Sequence, residues 1–330
     1  MYHLQFINRY FSLLILFLTL PNLHAHAADH DRTFSITYRA EITEIPDTAQ
    51  RVALWLPMPR SHRDQIVREI DIQSSHRYQI VTDEVYKNRY VYIEIDGEEP
   101  ITALTEKPWL SFSATVTRKT IDALDTPYTM HNPGGELSRF LNPAVLIPLD
   151  GPIITEAKKS VGEETDPLKQ ARLLYNHILS TVSYDKSGDD WGRGDALYAC
   201  DTRTGNCTDF HSLFIGEARS LEIPARFIMG FPVPTNASNG TITGYHCWAE
   251  FYTHDKGWVP IDASEAQQDS TRKKELFGGL DPNRIEFAIG RDIHLPKSEL
   301  PPKNYTIYPH FEINGKKSDN VTWSLSYEDK

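Results

Sequence analysis

The sequence predicts an α+β fold, with a β-rich first half followed by helices and then further strands. Three observations carry this. Apolar residues alternate with period two from Thr33 to about Ile121. A Pro- and Gly-punctuated stretch from Asn132 to Pro152 then interrupts the pattern. Beyond it the apolar spacing becomes helical before returning to short strands. The expected parts are residues 28–150 as an N-terminal antiparallel β-sandwich, 151–270 as a core of mixed structure, and 271–330 as a C-terminal extension ending in a β-hairpin.

Residues 1–27 are read apart from the fold. Arg9 precedes an apolar run from Tyr10 to Leu20, and Ala25-His26-Ala27 supplies a small-x-small cleavage pattern, so this is a signal peptide cut after Ala27. The run is too short to cross a bilayer, which takes roughly 20 apolar residues. No later segment reaches that length, so the expected mature protein is periplasmic or secreted, with no membrane span. A formal net charge of −11 argues against nucleic acid as a partner, because a polyanion would be repelled.

Phe34, Ile36, Tyr38, Ala40 and Ile42 share one strand face, and Leu110, Phe112, Ala114 and Val116 share another. Runs at Val52 to Leu56, Tyr78 to Val81 and Tyr90 to Ile95 add further strands, separated by Pro57-Met58-Pro59, Ser74-Ser75 and Asp96-Gly97. Thr165-Asp166-Pro167 is a helix start, with an N-cap and a proline at the first position. Leu168, Ala171, Leu174, Tyr175, Ile178 and Val182 trace the buried face of that helix. The stretch from Ser187 to Gly205, which contains Trp191, reads as a long surface loop. A second helix begins near Cys207, with Phe210, Leu213, Phe214, Ala218 and Leu221 on its apolar side. Two strands follow, Gly244 to Tyr252 with His246 and Gly257 to Ala263 with Asp262, and the turn His254-Asp255-Lys256 makes them a hairpin. Ile307 to Ile313 and Val321 to Tyr327 read as a closing hairpin around Asn314-Gly315.

Cys207 carries the chemistry. At the first turn of a helix, backbone N–H groups and the positive end of the dipole favour thiolate over thiol. His246 and Asp262, brought side by side by the hairpin, supply a base and the carboxylate that orients it. A thiol, an imidazole and a carboxylate together permit acyl transfer through a thioester. Cys200, Cys207 and Cys247 form an odd set in an exported chain, which suits a reactive Cys207 with Cys200 and Cys247 paired in a disulfide or separately buried.

Four blocks in this order resemble the transglutaminase-like superfamily, in its secreted bacterial form. They are Gly205-Asn206-Cys207-Thr208-Asp209-Phe210, Ile223-Pro224-Ala225-Arg226, Gly244-Tyr245-His246-Cys247-Trp248-Ala249-Glu250 and Gly257-Trp258-Val259-Pro260-Ile261-Asp262-Ala263. The resemblance spans roughly Thr165 to Ser264. It implies a papain-like core of helices packed on an antiparallel sheet, with Cys207 as nucleophile, His246 as general base and acid, and Asp262 as orienting carboxylate.

It leaves the acyl acceptor open: water makes a peptidase or amidase, the expectation here, and an amine makes a cross-linking transferase. A non-catalytic cell-envelope binding module is the reading from another class. The oxyanion needs the Cys207 N–H and a second donor, for which Trp191 and Tyr245 are the candidates. No cofactor or metal is expected, since Cys200, Cys207 and His211 lack knuckle spacing and the acidic loop around Asp189 lacks the EF-hand pattern. The expected partner is a protein or peptide substrate.

Overall fold

The computed structural model describes residues 31–97, 101, 106–127 and 134–330. The signal peptide expected over residues 1–27 lies outside the described residues, as does the start of the connection at Asn132.

The first half supplies strands β1 (Arg32–Ile42), β2 (Arg51–Met58), β3 (Gln65–Ser74), β4 (Tyr78–Thr82), β5 (Arg89–Asp96) and β6 (Trp109–Arg118). Helices α1 (Pro152–Val161), α2 (Pro167–Thr181), α3 (Ala196–Thr202) and α4 (Cys207–Ser220) follow. Then come β7 (Ala225–Pro232), β8 (Asn239–Ile242), β9 (His246–Thr253), β10 (Gly257–Ile261), helix α5 (Ala263–Gln268) and β11 (Arg284–Ile289). The chain ends with β12 (His310–Ile313), β13 (Lys316–Ser318) and β14 (Val321–Asp329).

Two five-stranded antiparallel sheets form the β-rich part, in the orders β8-β14-β1-β6-β3 and β13-β12-β2-β5-β4. Alternation sets the register of the first. Phe34, Ile36 and Tyr38 on β1 pair with Val116, Ala114 and Phe112 on β6, so one face of both strands is apolar and buried. β2 is different, being buried along nearly its whole length. Val52, Leu54, Leu56 and Met58 enter the main core, while Ala53 and Trp55 pack on the other side against Tyr90, Tyr92 and Leu295.

The expected closing hairpin is corrected. β12 turns at Asn314-Gly315 into the short β13, and Val321 to Tyr327 lies in β14, which belongs to the other sheet. Pairing there is set by burial: Tyr327 and Leu325 stand opposite Ile36 and Tyr38, and all four are buried. The C-terminal residues thus complete both N-terminal sheets, since β12 also pairs with β2.

The third sheet, β10-β9-β7-β11, is antiparallel and packs with the helices. α4 runs through the middle of this part, in contact with α1, α2, α3, α5, β7 and β9. It is therefore buried on all sides rather than along one stripe. α2 starts as its sequence dictates, with the Asp166 side chain accepting from the Lys169 N–H at 2.9 Å and Pro167 in the first turn. The long loop expected from Ser187 to Gly205 is interrupted by α3, whose N-cap Asp195 accepts from Leu197 and Tyr198 N–H groups. Its buried side is only Ala196, Ala199 and Cys200, too brief a stripe to register as a helical period.

Tyr38 joins the layers. Its ring lies edge-on to Phe112, Phe231, Phe287 and Trp323 at 5.8–6.0 Å between centroids, and its hydroxyl donates to the Ile307 carbonyl at 3.0 Å. Tyr38→Ala is expected to cost about 3–5 kcal/mol in urea unfolding, whereas Tyr38→Phe, which loses only the hydrogen bond, costs about 1 kcal/mol. Equal costs would mean that the ring contacts do not hold the layers together.

Candidate active site

The site is built at the N-terminus of α4. Asn206 caps it, its side-chain oxygen accepting from the Thr208 N–H at 2.8 Å, and Asp209 reaches back to the Asn206 N–H at 2.9 Å. Asp209 does more than close this capping box, because it also accepts from Gly192 and Gly194 N–H groups at 2.7 and 2.9 Å. The loop with Trp191 is therefore fastened to the nucleophile's helix. Gly205 has φ 152°, and a Cβ there would stand 2.5 Å from that of Asp209, so only glycine allows this approach.

β9 and β10 run antiparallel from Ala249 opposite Ile261 to Thr253 opposite Gly257, which brings His246 and Asp262 together at the hairpin's open end. His246 Nε2 and Asp262 Oδ2 are 2.6 Å apart. That leaves Nδ1 as the ring nitrogen available to Cys207, with which the His246 side chain shares a hydrogen bond. Asp262 is fully buried and is also the N-cap of α5. Its Oδ1 accepts from Ser264 Oγ and the Glu265 N–H, both at 3.0 Å, and its Oδ2 also accepts from Arg284 Nη1 at 2.9 Å.

The electrostatics follow from these contacts. Hydrogen bonding from the Cys247 side chain is the largest influence on Cys207; against burial, and with the bond and charge of His246, it draws the thiol down to about 6. Burial pushes His246 down, but the charge and hydrogen bond of Asp262, and then Cys207, raise it to about 10. Burial opposes ionisation of Asp262, yet His246 and Arg284 hold its carboxyl well below the usual range. The arrangement favours a thiolate–imidazolium pair at neutral pH.

Two contributors have no assigned role in the sequence, where His211 is weighed only as a metal ligand. His211, buried on α4, accepts the Ala263 N–H on Nε2 at 3.1 Å and places Nδ1 3.6 Å from Cys247 Sγ. Burial drives this ring down to about 4, so it stays neutral with its proton on Nδ1. The chain of donors then runs from Ala263 N–H to His211, from His211 to Cys247, and from the Cys247 thiol to Cys207. Arg284 is the second, a buried guanidinium shared among Asp262, Glu265 and Asp281.

All three cysteines are free, buried thiols, so of the two alternatives for Cys200 and Cys247 the structure has them separately buried rather than paired. Cys247 sits beside His211 and Cys207 at the start of α4, whereas Cys200 lies among Arg203, Glu217 and Glu156 toward the far end of that helix.

Of the two oxyanion candidates, Tyr245 bonds the residue before Cys207, its hydroxyl accepting from Asn206 Nδ2 at 3.0 Å. Trp191 instead walls a neighbouring groove. Donor atoms of His246, Asp262 and Glu265 cluster closely enough to share an ion. Arg284 and Arg272 already engage those carboxylates at 2.9–3.1 Å, and their two positive charges oppose a cation there.

The family model of the Transglutaminase-like superfamily matches residues 155–263. The chain carries a transglutaminase-like core. An uncharacterised protein of Haemophilus influenzae is 27% identical over 339 residues, covering 89% of this chain and 88% of the relative. The crystal structure of a candidate cysteine protease from Cytophaga hutchinsonii superposes with a TM-score of 0.58 at 17% identity, over 91% of this chain and 98% of that one, which shows a shared fold. The periplasmic domain of TgpA from Pseudomonas aeruginosa matches at 14% identity over 72% of this chain and 92% of that one, with a TM-score of 0.37, too low to establish likeness. The matched segment of the transglutaminase-like core contains Cys207, His246 and Asp262, while Arg284 lies beyond it.

Alkylation by iodoacetamide, followed residue by residue by mass spectrometry, is expected to select Cys207 over Cys200 and Cys247. Its rate should fall as the pH drops through about 6. Cys247→Ala should move that midpoint upward, toward an ordinary thiol, because it removes the largest stabilising contact. An unchanged midpoint would place the thiolate's support elsewhere.

Proposed function

We propose that this chain is an exported thiol-dependent acyl-transfer enzyme that hydrolyses amide or peptide bonds. The observation that carries the reading is the buried Cys207 thiol, hydrogen-bonded to a His246 ring that Asp262 holds at 2.6 Å. In this mechanism the Cys207 thiolate attacks the substrate carbonyl and the carbonyl π electrons move onto oxygen. The Cys207 N–H, at the positive end of α4, is one donor to that oxyanion. The second is the Tyr245 O–H: its oxygen accepts from Asn206, its proton exchanges a hydrogen bond to Tyr305 for one to the oxyanion, and burial keeps the phenol protonated.

Collapse of the tetrahedral intermediate expels the amine, which takes its proton from the His246 imidazolium. The ring, now neutral, draws a proton from water as that water attacks the thioester, and the Cys207 thiolate is released with the acid product. Water can reach the thioester, since the His246 side chain keeps about 12% of its surface exposed. Export rests on the Arg9, Tyr10 to Leu20 and Ala25-His26-Ala27 pattern. Among the described residues no helix is long and apolar enough to cross a membrane.

The test is product release from a peptide library by the mature chain, with and without a labelled primary amine. Hydrolysis predicts release without added amine, lost by at least ~10³-fold in Cys207→Ala and His246→Ala and by ~10²–10⁴-fold in Asp262→Asn. Incorporation of the amine with little hydrolysis would instead make the chain a transferase. Release unaffected by Cys207→Ala would end both readings.

A further inference from the structure

A groove of about 630 Å³ lies along the loop that Asp209 fastens to α4, walled by Trp191, Gly192 and Arg193 on one side and by residues 303–310 on the other. It is tied to the site by aromatic contacts. The Tyr305 ring lies 6.0 Å and the Tyr308 ring 6.1 Å from Tyr245, and Tyr245 bonds to Asn206, the residue before the nucleophile. Tyr305 Oη donates to the Gly192 carbonyl at 3.3 Å, joining the two walls. The far wall is held firmly: Arg291 bonds Asn304 Oδ1, the Gly194 carbonyl at 2.8 Å and Ser212 Oγ on α4 at 2.5 Å.

One cation of the groove lacks a carboxylate in direct contact. In a protein of net −11, the lining carries Arg193, Lys303 and Lys317 against one carboxylate, Asp319. Arg193 is answered by Asp190 and Asp195 at 3.4 and 3.0 Å, and Lys317 by Asp319 at 2.7 Å. Lys303 is not so answered. Its Nζ meets His310 Nδ1 at 3.1 Å, and among the described residues no carboxylate lies within ion-pairing distance of it. His310 is itself committed, its Nε2 standing 2.9 Å from Glu312 Oε1, so Nδ1 accepts from the ammonium and the imidazole is neutral. A half-buried ammonium with no carboxylate in direct contact, on which Glu312 and Asp319 act only at longer range, is stabilised when an anionic group arrives.

We propose that this groove is the substrate subsite and that it selects acidic peptides: a Glu or Asp side chain near the scissile amide pairs with Lys303, while Trp191 and Tyr308 cover the flanking backbone. The proposal rests on the hydrolase reading for its place in a reaction, but its binding can be read separately. The experiment uses the mature chain with Cys207→Ala and titration calorimetry against capped peptides of one sequence carrying Glu, Gln or Lys at a single position.

The Glu peptide is expected to bind about tenfold more tightly than the Gln peptide, with the preference shrinking in high salt. Lys303→Gln should abolish the preference, Lys303→Arg should retain it, and Lys303→Glu should turn it toward the Lys peptide. Equal binding of the three peptides, no binding of any, or a Glu preference that survives Lys303→Gln would each overturn the proposal. The same peptides given to the chain with Cys207 intact separate the two claims. Cys207-dependent cleavage without acid preference leaves the hydrolase and removes the subsite; Lys303-dependent binding without cleavage leaves the subsite and removes the hydrolase.

Discussion

The buried carboxylate of Asp262 is the constraint on which the candidate site depends. It receives donors from three elements, His246 on β9, Ser264 and Glu265 at the start of α5, and Arg284 on β11. A dehydrated carboxylate with fewer partners would take up a proton and cease to orient the ring. With them it remains ionised, and the imidazolium beside it is stabilised in turn. Placing those donors requires the hairpin β9/β10, the turn into α5 and the edge strand β11 to be packed simultaneously. Fold and chemistry are coupled at this one side chain.

The Cys207 half of the site is organised from α4. Its burial on all sides removes Cys207 from bulk water, which alone would raise the thiol; the Cys247 thiol and N–H and the His246 ring reverse that. Neutral His211 orients Cys247 and, through Ala263, touches the first residue of α5. The two halves therefore share a backbone as well as an ion pair. Asp209 adds the loop that carries Trp191, so the groove wall is fastened to the helix that begins at Cys207.

Much of this was legible in the sequence because it is local. Period-two burial on β1 and β6, the Asp166-Pro167 start of α2, the capped start of α4 and the β9/β10 hairpin are each written in a few neighbouring residues. So were Cys207, His246 and Asp262, by their positions at a helix start and a hairpin end. What escaped depends on distant partners. Arg284 sits in the segment taken as an extension, and nothing near it in sequence announces that its guanidinium reaches Asp262. Cys247 was weighed as a disulfide half because cysteine counting ignores direction, and its thiol turns toward Cys207. β14 was paired with the wrong strand because alternation specifies a buried face and not the neighbour beside it. α3 had one usable signal, Asp195 as an N-cap, set in a loop otherwise rich in glycine.

The central claim is that Asp262 keeps His246 protonated against a Cys207 thiolate at neutral pH. Nuclear magnetic resonance of isotopically labelled histidine reads this without substrate. The account predicts that His246 is an imidazolium at pH 7 and deprotonates only on approach to about pH 10, and that Asp262→Asn leaves it neutral at pH 7. A neutral His246 at pH 7 in the native chain, or a protonated one that persists in Asp262→Asn, would contradict it.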